Sequence, residues 1–170
     1  MPIIISLFDS YHKFEPMARS MEKGVVLGKS TFQSMRDRLS RIYGDKSQST
    51  IIYSMGKEAG QKRATDVAKR LPNEKSENVI TRVLGLQQIL GWGRFEILSS
   101  EPKKFVFCVY DCAEHVETEN EMPQCDFTTG FLAGLYGGVY GMDAEASELR
   151  CVNRGDPYCE IRVILGELPD

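Results

Sequence analysis

Residues 125–165, CDFTTGFLAGLYGGVYGMDAEASELRCVNRGDPYCEIRVIL, are the stretch on which the fold turns. The first half is apolar and striped with glycine. Gly130, Gly134, Gly137 and Gly141 recur at spacings of 4, 3 and 4, one side of a helix predicted over residues 127–141. Glycine weakens a helix by about 0.8–1 kcal/mol per position relative to alanine. The stripe therefore needs a compensating reason, either tight packing against the sheet or another helix, or room for a ligand. The second half changes period: residues 145–152 and 158–165 read as two strands around the turn Asn153-Arg154-Gly155-Asp156-Pro157.

That hairpin carries two of the chain's five cysteines. If Val152 pairs with Tyr158, Cys151 stands opposite Cys159, and opposed residues of an antiparallel pair lie about 4.5–5.5 Å apart at Cα. Both sulfurs then reach one ion. Cys125 immediately precedes the glycine-striped helix, with Asp126 as a candidate cap, and a helix N-terminus favours the thiolate that binds metal. A closed tetrahedral site wants a fourth ligand. Glu148 precedes Cys151 by three residues, so on an ideal strand the two side chains face opposite ways and a bulge near Leu149-Arg150 is required. His115 and Asp126 are the rival fourth ligands. On the residues alone, a Cys151–Cys159 disulfide and plain buried thiols stand as alternatives to a metal.

Upstream of this stretch, Phe95, Ile97 and Ser99 alternate with Arg94, Glu96 and Leu98, and residues 105–110 are apolar on both faces: a second hairpin with a buried second strand. Three helices are predicted before it. The first follows a capping box at Ser30-Thr31-Phe32-Gln33 and ends at Gly44. The second covers residues 49–71, with Ile52, Gly56, Gly60, Ala64 and Val67 on an inner face small enough to admit another backbone. The third covers residues 77–90, closed by Gly91-Trp92-Gly93. Residues 2–8 read as a short strand within an N-terminal extension, 1–23, and residues 24–170 as a single domain. Residues 111–124 form an acidic loop. The expected class is α/β in the α+β sense: an antiparallel sheet of about four to five strands packed on a layer of helices, with a metal-clamped C-terminal hairpin.

A formal charge of −3 argues against a nucleic-acid binder. Nothing approaches the roughly 20 apolar residues of a membrane span, and the apolar start lacks the flanks of a signal peptide. A cytoplasmic location is expected, and there cysteines serve as thiols or ligands more than as disulfides. Cys108 and Cys112, four apart at the end of a buried strand, read as ordinary buried thiols, with a metal pair or redox switch as the alternative, and His12 and His115 as structural or surface residues. The sequence holds no Ser-His-Asp arrangement, phosphate loop or dinucleotide fingerprint, so no enzyme is expected.

The segments 125–134, Glu148-Leu149-Arg150-Cys151 and Gly155-Asp156-Pro157-Tyr158-Cys159-Glu160-Ile161 resemble the 4-vinyl-reductase domain family. That family includes sensory domains of aromatic-responsive transcription activators and proteins of bacteriochlorophyll synthesis, and is related in fold to transport-particle subunits. The resemblance is strong over residues 90–165. It implies a structural zinc held by Cys125, Glu148, Cys151 and Cys159, at gaps of 23, 3 and 8 residues. Arg150 and Arg154 are candidate donors around its excess negative charge. The resemblance also implies an apolar pocket near that substructure. Trp92, Phe95, Phe105, Phe107, Phe131 and Tyr136 are candidates to line it, or to be the core itself. The function implied is a stand-alone sensor for a hydrophobic small molecule or hydrocarbon, a homodimer that signals through a separate output protein. An adaptor or assembly subunit is the alternative, and a reductase-type enzyme of pigment metabolism a more distant one.

Overall fold

The computed structural model describes residues 27–116 and 125–166. The strand expected at residues 2–8, the extension 1–23 and His12 lie outside the described residues. Within them the order is α1 (Lys29–Tyr43), α2 (Asp45–Arg70), α3 (Ser76–Ile89), β1 (Arg94–Glu101), β2 (Lys104–Tyr110), α4 (Asp126–Tyr140), β3 (Ala144–Arg150), a 3-10 turn at Val152–Arg154, and β4 (Cys159–Leu165). The four strands form one antiparallel sheet in the order β1-β2-β4-β3. This is the α+β architecture the sequence implies.

α4 is the centre of the molecule. Every residue from Thr128 to Tyr136 is buried, because the helix is covered on both sides. One side packs on the sheet, where Phe105, Phe107, Ile161, Val163 and Leu165 turn their side chains inward into the same core as Leu132, Leu135 and Tyr136. The other side meets α2. Gly130 and Gly134 of α4 press on the backbone of Tyr53 and Lys57, and Gly56 and Gly60 of α2 press on that of Phe127 and Phe131. A β-carbon at any of the four would overlap a carbonyl oxygen. The two helices are thus in backbone contact, at a separation that favours weak Cα–H···O=C attraction of about 0.5–1 kcal/mol each. The small inner face predicted for α2 and half of the glycine stripe serve one purpose. The other half does not: Gly137 packs against Met142 and Ala144, and Gly141 is the left-handed C-terminal cap, φ 64°.

α2 is also tied to the sheet edge. Lys57 Nζ pairs with Asp143 at 3.2 Å and Glu145 at 2.9 Å, and the Tyr53 hydroxyl accepts from the Ala146 N–H at 3.0 Å. Two sequence expectations are corrected. The capping box at Ser30 is not formed: α1 starts at Lys29 behind Gly28, and the Gln33 amide donates to Asp37 instead of turning back. α2 begins at Asp45, four residues earlier than expected, because Gly44 with φ 81° breaks the chain only briefly and an acidic side chain suits a helix N-terminus.

Substituting Gly134→Ala is expected to lower stability by about 1–3 kcal/mol or more, since neither backbone can yield without separating the helices. Gly28→Ala, with ordinary clearance at 3.8 Å, is expected to stay within about 0.5 kcal/mol. Denaturant melts of the two variants check the difference.

Candidate metal centre

The first turn of α4, the end of β3 and the start of β4 meet at one point. β3 and β4 pair in register from Ala144↔Leu165 to Glu148↔Ile161, and the register then shifts between Glu148 and Arg150. This is the irregularity that lets Glu148 and Cys151 face the same way. The chain then enters the 3-10 turn, where the Cys151 N–H donates to Asp156 Oδ2 at 2.8 Å. Cys125 is the residue on which α4 starts. Cys125, Cys151 and Cys159 are fully buried. Their sulfurs and a carboxylate oxygen of Glu148 all lie within 4.8 Å of one another, a set that can hold a metal ion.

The distances suit a tetrahedral thiolate site. Cys125 Sγ lies 3.3 Å from Cys159 Sγ and 3.9 Å from Cys151 Sγ, and ligands bonded at about 2.3 Å to one tetrahedral ion stand roughly 3.8 Å apart. Glu148 Oε2 accepts from the Cys125 N–H at 3.2 Å, while its buried Oε1 has no hydrogen-bond partner among the described residues. A buried carboxylate oxygen without a donor is costly, and a cation at this point removes the cost. Electrostatics give the same answer. Burial, followed by the negative charge of Cys151, pushes the Glu148 carboxyl up to about 9. The neighbouring thiols, Cys112 first, push Cys125 up as well. Glu148 and Cys125 thus hold protons that a divalent ion would displace, whereas hydrogen bonds from Cys125 and Cys159 pull the adjoining Cys112 thiol well below its ordinary value.

The rival ligands are engaged elsewhere. Asp126 accepts from Ser49 Oγ at 2.6 Å and pairs with Arg36 at 3.1 Å, and His115 Nδ1 lies 2.9 Å from Asn153 Oδ1. All five cysteines are free thiols, Cys151 and Cys159 included. Arg150 pairs with Glu160 and Arg154 with Asp156.

Two features are absent from the sequence reading, and a third bears on the apolar pocket it expected. Cys112 is part of the cluster, its sulfur 3.3 Å from that of Cys125. Glu114, fully buried, accepts from the Phe127 and Thr128 N–H groups at 3.1 and 2.7 Å and pairs with buried Arg36 at 3.4 Å. It thereby caps α4 from outside the helix, and burial pushes its carboxyl up to about 8. The third is a small cavity of about 10 Å³ lined by Gln87, Trp92, Phe95, Phe127, Thr128 and Phe131. Of the six aromatic candidates, Trp92, Phe95 and Phe131 meet there. Phe105, Phe107 and Tyr136 pack together in the core under the sheet, with ring centroids 4.5 and 5.3 Å apart. Trp92 stacks on Phe127 at 4.7 Å, and Phe32 of α1 meets both edge-on. Apolar patterning could signal Cys112 as buried and Phe127 as partly buried, but not what they touch.

Residues 105–165 match the model of the vinyl-4-reductase domain, within the segment on which the resemblance rests most strongly, and that resemblance is borne out. Two uncharacterized proteins of Methanocaldococcus jannaschii are similar in sequence. One is 27% identical over 145 residues, covering 85% of this chain and 81% of its own length; the other is 23% identical over 141 residues, covering 82% and 77%. Three solved structures share the fold. The phenol-responsive sensory domain of the transcription activator PoxR with phenol has a TM-score of 0.74 at 18% identity, covering 85% of this chain and 77% of that one. A trafficking protein particle complex subunit 3 from Naegleria fowleri, covalently bound to palmitic acid, has a TM-score of 0.61 at 16% identity, covering 84% and 95%. A vinyl-4-reductase family protein from Methanocaldococcus jannaschii has a TM-score of 0.57 at 19% identity, covering 98% and 97%. Among the described residues no helix is long and apolar enough to cross a membrane.

Chelation is expected to lower the melting temperature of the native protein, and not that of Cys151→Ser, whose metal is already lost. The pH dependence should invert between the two states. In the metal-free protein Glu148 keeps its proton to about 9, while the unfolded chain releases it near its ordinary 4.5. The unfolded state binds fewer protons in that window, so this contribution is full below the lower value and fades as pH rises toward the upper one. Glu114 acts in the same direction. Melts with chelator should therefore be higher at pH 6 than at pH 8, and melts with zinc the reverse, because metal and protons compete for the donors.

Proposed function

We propose that this chain, with its family match over residues 105–165, is a sensor domain that binds a hydrophobic small molecule and is held together by structural zinc. Zinc is the metal the donor set favours: three thiolates are too soft for magnesium or calcium, and four protein ligands leave no open position for a substrate. We read the protein as a binding domain and not an enzyme.

The observation that carries the reading is the shared turn at the start of α4. Thr128 lines the aromatic cavity, and its hydroxyl lies 3.9 Å from the Cys112 sulfur beside the thiol cluster. The Trp92 carbonyl accepts from the Ala113 N–H at 3.2 Å, joining the cavity's largest ring to the residue after Cys112. A ligand that moves Trp92 or Phe127 therefore pulls on the metal-bound substructure. Two neighbours of the same fold support an apolar ligand, one seen with phenol and one with palmitic acid. At about 10 Å³ the cavity has room for little more than a water, so entry of an aromatic ring requires the Phe32-Trp92-Phe127 stack to open. We place homodimer contacts on α1, where Met35, Ile42 and Tyr43 are exposed, and assign signal output to a separate protein at another surface.

Trp92 is the chain's single tryptophan, so its fluorescence reports the cavity directly. Titration with phenol or toluene is expected to give a saturable change and a rise in melting temperature, both lost in Phe127→Ala. A flat titration with every small aromatic or fatty-acid probe would sink the sensor reading. Light scattering is expected to give a dimer that Ile42→Glu splits; a native monomer at micromolar concentration would remove the dimer.

A further inference from the structure

Four donors surround the point where a metal fits, and a fifth thiol, that of Cys112, is in contact with one of them. Cys112 follows the end of β2 and is buried at 2% exposure. Its sulfur is as close to Cys125 Sγ, 3.3 Å, as that of Cys159, 3.3 Å, and closer than that of Cys151, 3.9 Å. The backbone fixes it there: the His115 N–H donates to the Cys112 carbonyl at 3.0 Å, and the next residue is pinned to Trp92. Glu148 is the odd member of the set, a carboxylate with one oxygen bonded to the Cys125 amide and the other without a partner among the described residues.

We propose that Cys112 is a ligand of the same centre, an alternative to Glu148 for the fourth position, so that the site can run as Cys125, Glu148, Cys151 and Cys159 or as an all-thiolate set with Cys112. The inference rests on the metal reading above. Zinc accepts both sets, because it has no geometric preference of its own and binds carboxylate and thiolate alike. A softer ion such as cadmium shifts the balance to four sulfurs. The exchange has a structural consequence. Drawing Cys112 toward an ion moves the segment that carries Glu114, the residue that caps α4, and moves the Ala113 amide that holds Trp92. Ligand choice and the aromatic cavity are thereby linked through three consecutive residues.

The test combines metal content with X-ray absorption at the zinc edge, which separates sulfur neighbours at about 2.3 Å from oxygen at about 2.0–2.2 Å. Glu148→Gln and Cys112→Ser should each retain one zinc per chain, Glu148→Gln with a four-sulfur shell. The double variant Cys112→Ser/Glu148→Gln should lose it. The inference is overturned if Glu148→Gln loses zinc as fully as Cys151→Ser, if its shell keeps three sulfurs, or if the double variant stays loaded. Should Glu148→Gln fail to fold, cadmium-loaded native protein replaces it. Its sulfur count is expected to be four and to fall to three in Cys112→Ser; equal counts overturn the proposal. A native protein that binds neither metal removes the metal reading itself, an outcome distinct from these.

Discussion

Everything in this molecule is arranged around the first turn of α4, where buried negative charge has to be balanced. Cys125, Cys151, Cys159 and Glu148 are pressed within 4.8 Å of one another, and Cys112 is in contact with Cys125. Without a cation Glu148 and Cys125 hold their protons far above their ordinary range, and those raised values express the cost of crowding these groups together. With a divalent ion the same crowding becomes a joint between the C-terminal hairpin and the central helix. On the flank away from the thiol cluster, Arg36 pairs with Glu114 and Asp126. A buried pair of this kind is costly to break, about 3–5 kcal/mol when one partner is removed.

The joint matters because of how α4 is held elsewhere. Its glycine face lies directly on α2, and its opposite face on β2 and β4, so it has no freedom to shift laterally without separating one layer. Its C-terminal end is stopped by left-handed Gly141. The N-terminal turn is the remaining place where a small displacement is possible, and it is also where the thiol cluster and the aromatic cavity share Thr128. The packing thus combines a rigid frame with one adjustable corner, the arrangement the proposed sensor role requires.

Much of this was legible in the residues. Period-two and helical spacing located every described element to within a few residues, and the small residues of α2 and α4 announced a close approach, though not that the two faces meet each other. The set Cys125, Glu148, Cys151 and Cys159 comes from the family resemblance, since the residues alone leave His115 and Asp126 as rivals to Glu148; the bulge that Glu148 requires is where the register shifts, between Glu148 and Arg150. What the sequence hid was tertiary. Cys112 joins the cluster across 13 positions with no motif to mark it, and Glu114 caps a helix that begins 12 residues later, beyond the reach of local capping rules. The aromatic set divided for the same reason: Phe105, Phe107 and Tyr136 face the sheet core, Trp92, Phe95 and Phe131 the cavity, and periodicity alone assigns both groups simply to the interior.

The most direct measurement is native mass spectrometry of the protein purified without added metal. The account predicts a mass increment of one zinc ion per chain, removed by acid together with the folded charge-state distribution. A compact, folded chain at the bare polypeptide mass would contradict it, because the cluster of Cys125, Glu148, Cys151 and Cys159 would then be stable without a cation.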